Sequence, residues 1–442
     1  MQFRSFVVCL SIGLVLAIAH AEAAQVNFTP SISASEEFTD NLFLDPDNEE
    51  EEWITRASLG LDLDILGRTS GLLLSYSPSY VWYDDFSEFD GWRHNADAFA
   101  YWDVTRATRL EARNSFLRTE DPVEDSEILR TEDPFERPAI EADTDRQGRN
   151  TYYSNVSRFD AIHRFGSDDS VRAGAAYTIR RESDPAPGDE GNEYDIWSPD
   201  VGLVYWFGPH WGFELDGQYA NVDYENDNDR EEYDGRFRLN RRFTRHLAVY
   251  LQYQHTALDY DDEDADPNYS IYLPTAGASY EFDENTRLSA GAGYYFQDID
   301  GEDNDGGLIL NIEAFKNWPF RRGNVSITAV SGYDIDNQGE EDLGLRIYYE
   351  ATVRGRYEIT RRLSGDAYAG YGWYEYPDED DRTDKLARAG VGLQFQALQW
   401  MNMRLQYDFR DLNAEDEPDE YTENRAMFTV TIVPEQPFRL LR

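Results

Sequence analysis

Arginines and carboxylates recur at every second position in stretch after stretch of this 442-residue chain, and no other residue pattern in it could do chemistry. Arg109, Glu111 and Arg113 keep one parity, as do Arg236 with Arg238 and Arg354 with Arg356. In an extended strand, residues two apart share a face, so this spacing sets guanidiniums and carboxylates in rows on one surface. The same parity takes in Arg56, Arg93, Arg172, Arg180, Arg388, Arg404 and Arg425, with Asp62, Asp64, Asp97, Asp216, Glu350, Asp366 and Asp408 between them. A guanidinium grips a carboxylate or phosphate through two parallel donors, so the supported chemistry is the holding or passing of anions rather than bond-making. Two uses follow. One is a charge-compensated surface kept polar because water fills the space before it; the other is an arginine-lined path for an anionic polymer or solute. Catalysis finds no comparable support. His94, His163, His210, His246 and His255 show no metal spacing, and no nucleophile and base are brought together by motif. Phosphate-loop, dinucleotide and cysteine-rich metal motifs are missing too, so no enzyme activity, metal or cofactor is expected.

The elements that carry these rows read as strands. Leu345, Ile347, Tyr349, Ala351, Val353 and Tyr357 alternate with Arg346, Tyr348, Glu350, Thr352, Arg354 and Arg356. Met401, Met403, Leu405, Tyr407 and Phe409 alternate with Asn402, Arg404, Gln406, Asp408 and Arg410. One face is apolar and the other charged, the period-2 signature of a strand with two unlike surroundings. Connections alternate as well: short turns such as Gly166 to Asp169 and Asp283 to Thr286 take turns with longer acidic loops such as Asp84 to Gly91, Asn226 to Glu232 and Asp300 to Asp305. The count comes to roughly twenty strands of about ten to fourteen residues, eighteen being the other even number the pattern allows. Such a layout predicts an all-β fold, a transmembrane antiparallel up-and-down β-barrel with a polar, water-filled interior. Aromatic residues near strand ends, including Trp53, Tyr83, Trp102, Trp206, Trp211, Trp318, Trp373 and Trp400, are expected to form its two interfacial girdles. A propeller would repeat a blade signature, and a sandwich would not alternate long and short connections so regularly. Pro78, Pro199 and Pro274 fall inside proposed strands, where a missing N–H must break the ladder.

Composition sets the compartment and excludes one class of partner. Against 40 Lys and Arg stand 87 Asp and Glu, a net charge of −47, which rules out binding nucleic acid through basic patches. Aromatics at 14% argue against disorder at that charge. Residues 1–23 read as a secretory signal: Arg4 precedes an apolar run from Phe6 to Ala19, and Ala21-Glu22-Ala23 offers the cleavage site. Residues 24–442 then form one barrel domain, with Cys9, the single cysteine, left in the signal. The acidic loops offer divalent cations a bridge to lipopolysaccharide of the outer membrane, or simply a solvated surface. The longest connection, 121–150, contains Leu129-Arg130-Thr131-Glu132-Asp133-Pro134 as a repeat of Leu117 to Pro122, and two readings stand for it: a loop folded inward as a constriction, or a disordered segment outside the barrel.

Just after the first strand, Ser35-Glu36-Glu37-Phe38-Thr39-Asp40-Asn41-Leu42-Phe43 resembles the aromatic-x-Asp-Asn-Leu/Ile-Phe start of a family of outer-membrane β-barrel porins. Members of that family are associated with exopolysaccharide biosynthesis and export, including exosortase-linked systems. The resemblance implies a porin of the Gram-negative cell outer membrane that serves as the exit channel of an exopolysaccharide secretion system and works with periplasmic polysaccharide-export proteins. A general or anion-selective porin for small solutes is the first alternative, and a structural or adhesive surface barrel without transport is the second. The chain departs from the usual aromatic end of a last strand, running on past Val433 to Phe438, which is expected to serve instead.

Overall fold

A computed structural model describes residues 25–120, 151–183, 193–225, 228–261, 267–301, 304–336, 344–377, 382–415 and 420–441. The expected signal, residues 1–23, and the 121–150 connection lie outside them. Twenty strands form a closed antiparallel barrel: β1 Gln25–Thr39, β2 Glu52–Leu66, β3 Ser70–Tyr83, β4 Gly91–Asp103, β5 Thr108–Thr119, β6 Thr151–Arg164, β7 Ser170–Ser183, β8 Tyr194–Trp206, β9 Trp211–Tyr224 and β10 Arg230–Arg242. The second half continues as β11 Leu247–Tyr260, β12 Tyr269–Asp283, β13 Thr286–Ile299, β14 Asp305–Phe320, β15 Gly323–Asp336, β16 Gly344–Glu358, β17 Leu363–Tyr376, β18 Arg382–Leu398, β19 Met401–Asn413 and β20 Tyr421–Ile432. Each strand pairs with the next in sequence, and β20 closes on β1 from Ile32↔Ile432 to Thr39↔Arg425. A short β21, Phe438–Leu441, extends the closing pair, setting Phe438 opposite Phe28. Strands of 12 to 17 residues are long enough to cross a hydrocarbon layer of about 30 Å at a tilt.

The register carries one parity around the whole barrel. Ser35 faces Arg56, Ser79 faces Arg93, Phe99 faces Arg113, Asp216 faces Arg236, and Asp408 faces Arg425. On the other parity Ile32, Leu59, Leu251, Val391 and Leu405 are exposed. A barrel in lipid turns its exposed apolar face outward, so the charged parity faces the lumen. The girdle expectation holds in part. Trp53, Trp211, Trp318, Trp373 and Trp400 are exposed. Tyr83 and Trp206 instead share the charged parity, Tyr83 buried beside Ile54 and Val81, and Trp206 lying 3.5 Å under the Arg242 guanidinium. Aromatic type had suggested the membrane interface, but the pleat decides the side.

All three prolines are accommodated in the same way. Pro78 pairs with His94 on β4 while the β2 ladder skips from Ser58↔Ser79 to Leu61↔Tyr76. Pro199 pairs with Ala175 and Pro274 with Tyr253, and in each case the ladder on the opposite side skips two residues. One side of the strand gives up its pairing and the other keeps it, so the strand continues.

Between β14 and β15 the wall comes apart halfway. Pairs run from Phe320↔Gly323 to Glu313↔Val330 and stop, whereas β15 stays paired with β16 as far as Asp336↔Gly344. At the fork Ser331 Oγ accepts the Ile312 N–H at 2.9 Å and donates to the Leu310 carbonyl at 2.6 Å, replacing one rung of the lost ladder. Beyond it, Tyr333 and Ile335 of β15 and Leu345, Ile347 and Tyr349 of β16 pack on Leu258, Ile271, Leu273, Tyr295 and Ile309, which belong to the inner face of β11 to β14. Those five residues of β15 and β16 are on the outward parity of their own strands. The outer face of one part of the wall thus lies against the inner face of another, with the loop-side half of β15 and β16 tucked inside the barrel.

Candidate functional site

Every arginine and carboxylate expected on the inner face stands on the lumenal parity of its strand, and most meet a partner sideways along the wall. Arg109 lies 2.7 Å from Glu111 and 4.4 Å over the Tyr101 ring; Arg113 lies 3.1 Å from the same Glu111 and 5.2 Å over Phe99. Arg236 pairs with Asp216 at 2.9 Å and Arg172 with Asp200 at 3.2 Å. Arg56 approaches Glu37 at 3.8 Å. Asp97 accepts from Ser115, Glu350 from Tyr374, and Asp408 from Tyr368 and Gln406. Asp62 faces Ser75 and Thr29 across its two ladders. Arg354 and Arg356 stand in register with Tyr368 and Asp366, and Arg388 with Gly370 and Arg410.

Some bridges span three strands, and glycine makes that possible. Arg404 of β19 reaches Asp366 of β17 at 3.0 Å over Gly392 of β18, where a Cβ would collide with both side chains. Arg158 of β6 likewise reaches Asp200 of β8 at 2.7 Å over Gly174. Arg238 is held differently. Its guanidinium stacks 3.8 Å over Tyr250, whose ring lies flat above Gly277 and Gly291 and leaves no room for a Cβ at either.

Toward the acidic loops this wall changes character. Arg93 donates from Nε to Glu120 Oε1 at 2.7 Å and from Nη2 to the Tyr83 hydroxyl at 2.7 Å, all three side chains being buried. The segment after β1 turns into the mouth. Leu42 packs on Ile54, Val81 and Tyr83 of β2 and β3, while Leu44 packs on Tyr374, Tyr376, Leu386, Leu412 and Tyr421 of β17 to β20. Leu44 has a φ of 55°, a left-handed conformation, and the two leucines settle on the strands to either side of β1. Asn41, fully buried, fixes this turn: its Nδ2 donates to the carbonyls of Asp45 at 2.9 Å and Thr422 at 3.1 Å, and its Oδ1 accepts the Asp45 N–H at 3.0 Å. The Asp-Asn-Leu-Phe motif is therefore an anchor inside the mouth. Together with the tucked β15 and β16 it makes a packed collar that the alternation pattern did not reveal. Arg158, Asp160, Asp200, Arg230 and Asp334 were missed as charged wall residues, although Asp334 sits 2.9 Å from Arg346, which the alternation does place on the charged parity.

Two loop carboxyls show what the connections do electrostatically. Backbone N–H groups of Asn48 and Asp47 hold Asp45 below the usual carboxylate range. Burial and the neighbouring Glu225 carboxyl push Glu193, just before β8, up to about 7.

The profile of a family described as Putative beta-barrel porin 2 matches residues 213–433. No curated protein matches the sequence. Among solved structures, the chain is similar to the siderophore receptor PirA from Acinetobacter baumannii, with a TM-score of 0.50 at 8% identity over 92% of this chain and 80% of that one. It is similar to a mutant ferric enterobactin receptor from Pseudomonas aeruginosa, with a TM-score of 0.50 at 10% identity over 92% of this chain and 81% of that one. Similarity extends to OccAB4 from Acinetobacter baumannii, with a TM-score of 0.39 at 13% identity over 93% of this chain and 99% of that one. At these identities the likeness to the two receptors speaks for the fold, a large barrel.

Proposed function

This chain belongs to the Putative beta-barrel porin 2 family of the Gram-negative outer membrane, and on that footing we propose that it is the exit channel of an exopolysaccharide secretion system. The family implies a non-enzymatic channel, so the question is what passes. One observation carries the reading: along the polar wall, guanidiniums lie over aromatic rings, Arg109 on Tyr101, Arg113 on Phe99 and Arg238 on Tyr250. An acidic sugar offers both complements at once: its carboxylate draws the guanidinium off the ring, and its apolar ring face takes the uncovered place. Passage also requires that no contact hold too long. Arginines that already share a wall carboxylate, such as Arg236 with Asp216 and Arg404 with Asp366, exchange it for a passing carboxylate at little net cost, which supports transit over trapping. Periplasmic polysaccharide-export proteins would dock on the short-turn end, and divalent cations would join the acidic loops to lipopolysaccharide.

Deleting the gene in its host and measuring polysaccharide outside the cell against that retained in the periplasm tests the proposal. Loss outside with retention inside is the expected result, and substituting Arg109, Arg113 and Arg238 together by glutamine reproduces it in part. Unchanged secretion would overturn the export role. The packed collar favours a second reading, an anion-selective porin for small solutes, which predicts normal secretion and slowed uptake of small anions by liposomes carrying the triple variant.

A further inference from the structure

We propose that the loop-side half of β15 and β16 is a gate that exchanges between two partners within this chain: the inner face of β11 to β14, which it covers here, and the open edge of β14, to which it can zip. From Asp305 to Ile312, β14 is paired with β13 on one side, while its other edge makes no rung to β15 among the described residues beyond Glu313↔Val330 and meets only the Ser331 hydroxyl at Leu310 and Ile312. Leu308 on it is the most exposed large apolar residue among the described residues, at 77%, and Leu310 is 47% exposed. Backbone groups left open at membrane depth are costly, and a strand edge of this kind takes up another strand. The occupant is Ser331 to Asp336 of the same chain. Carried on without a bulge, the existing register sets Leu310 opposite Tyr333 and Leu308 opposite Ile335.

Parity makes both states acceptable. Tyr333, Ile335, Leu345, Ile347 and Tyr349 share the outward parity of Val325, Ile327, Val353 and Tyr357 on the same two strands. Zipped into the wall, that apolar row faces lipid; tucked, it covers Leu258, Ile271, Leu273 and Ile309. The alternate parity carries Asp334 and Arg346, paired at 2.9 Å, and keeps them toward the lumen in either position. Among the contacts surrendered on zipping are the apolar cover and the 2.9 Å bond between the Tyr333 and Thr256 hydroxyls. Ladder bonds along β14 replace them, and the volume that β15 and β16 occupied in the mouth is released. Ser331, bonded to both Leu310 and Ile312, stands at the fork as the hinge.

The conductance arm of the test rests on the channel reading; strand exchange does not. In full-length protein carrying Cys9→Ser, so that no other thiol is present, Leu310→Cys is combined with Tyr333→Cys. The two Cα atoms of a zipped pair would stand about 5.5 Å apart, within disulfide range. Ala314→Cys with Ala329→Cys, a pair already in register, serves as the control for folding and oxidation. The expected result is a disulfide in both proteins, with oxidation raising single-channel conductance roughly twofold or more only in the first and reduction reversing it. A control that crosslinks while the Leu310/Tyr333 pair does not would overturn the exchange. A crosslink in both with equal, unchanged conductance would overturn the gate, and silence of both channels would count against the channel reading instead. Leu273→Ser, which weakens the covered face without touching the edge, is expected to raise the fraction of time spent in the high-conductance state; a fall in that fraction would also overturn the gate.

Discussion

Arg93 and Arg236 stand on the same lumenal parity and each meets a carboxylate, yet they belong to different kinds of matter. The Arg93 and Glu120 side chains are 9% and 5% exposed, enclosed with Tyr83 in the collar; those of Arg236 and Asp216 are 40% and 34% exposed on the open wall. In the collar, inward side chains pack on one another across strands, as in a protein core. Along the wall they lie flat and pair with neighbours, as on a protein surface. A barrel lumen is thus not one environment, and the value of a charge in it follows from depth of packing rather than from which way it points.

The largest effect that comparison predicts is at Arg93. Arg93→Ala leaves Glu120 buried without its cation and is expected to cost about 3–5 kcal/mol, whereas Arg93→Met combined with Glu120→Leu recovers most of it. Urea unfolding of the folded protein in detergent measures both, and equal stability of the single and double variants would break the distinction. Arg236→Ala, the matching change on the open wall, is expected to cost under about 1 kcal/mol while shifting the reversal potential toward cations. A stability loss as large as that at Arg93 would mean that the wall is as tightly built as the collar. Smallest is a pH effect outside the strands. With Glu193 raised to about 7, its stabilising contribution is full below the ordinary carboxyl range and is lost as pH rises through about 7, because the folded protein holds a proton there that the unfolded chain has given up. Thermal midpoints of the wild type should fall slightly as pH rises through that window, and Glu193→Gln should flatten the slope.

The barrel was legible because the pleat ties sequence parity to face, and twenty alternating segments leave few other arrangements. That the arginines would share one parity was legible for the same reason. Depth was not, since alternation says which side a residue takes and nothing of what lies over it. A signal for the collar did exist. At the loop-side ends both parities turn apolar, as in Tyr269-Ser270-Ile271-Tyr272-Leu273 and Leu308-Ile309-Leu310, where a lumen filled only with water would call for polar residues on one side. The fork at β14 and β15 had no such mark, because a strand whose outward row is apolar suits lipid and a neighbour's inner face equally well. Tyr83 and Trp206 show the opposite error, in which residue type was allowed to outweigh parity.

The buried asparagine after β1 bears on how the molecule comes to exist at all. Its bond to the Thr422 carbonyl, with Thr39 donating to Glu423 and Asp40 accepting twice from Asn424, ties together residues 381 to 384 positions apart. Joining ends so distant carries the largest loop-closure entropy among the described strand pairings, and that closure is the predicted slow step of assembly. Until it happens the sheet has two raw edges and is prone to pair with another chain. The Asp-Asn-Leu-Phe turn then acts as a clasp on a ring, idle through most of assembly and decisive at its end.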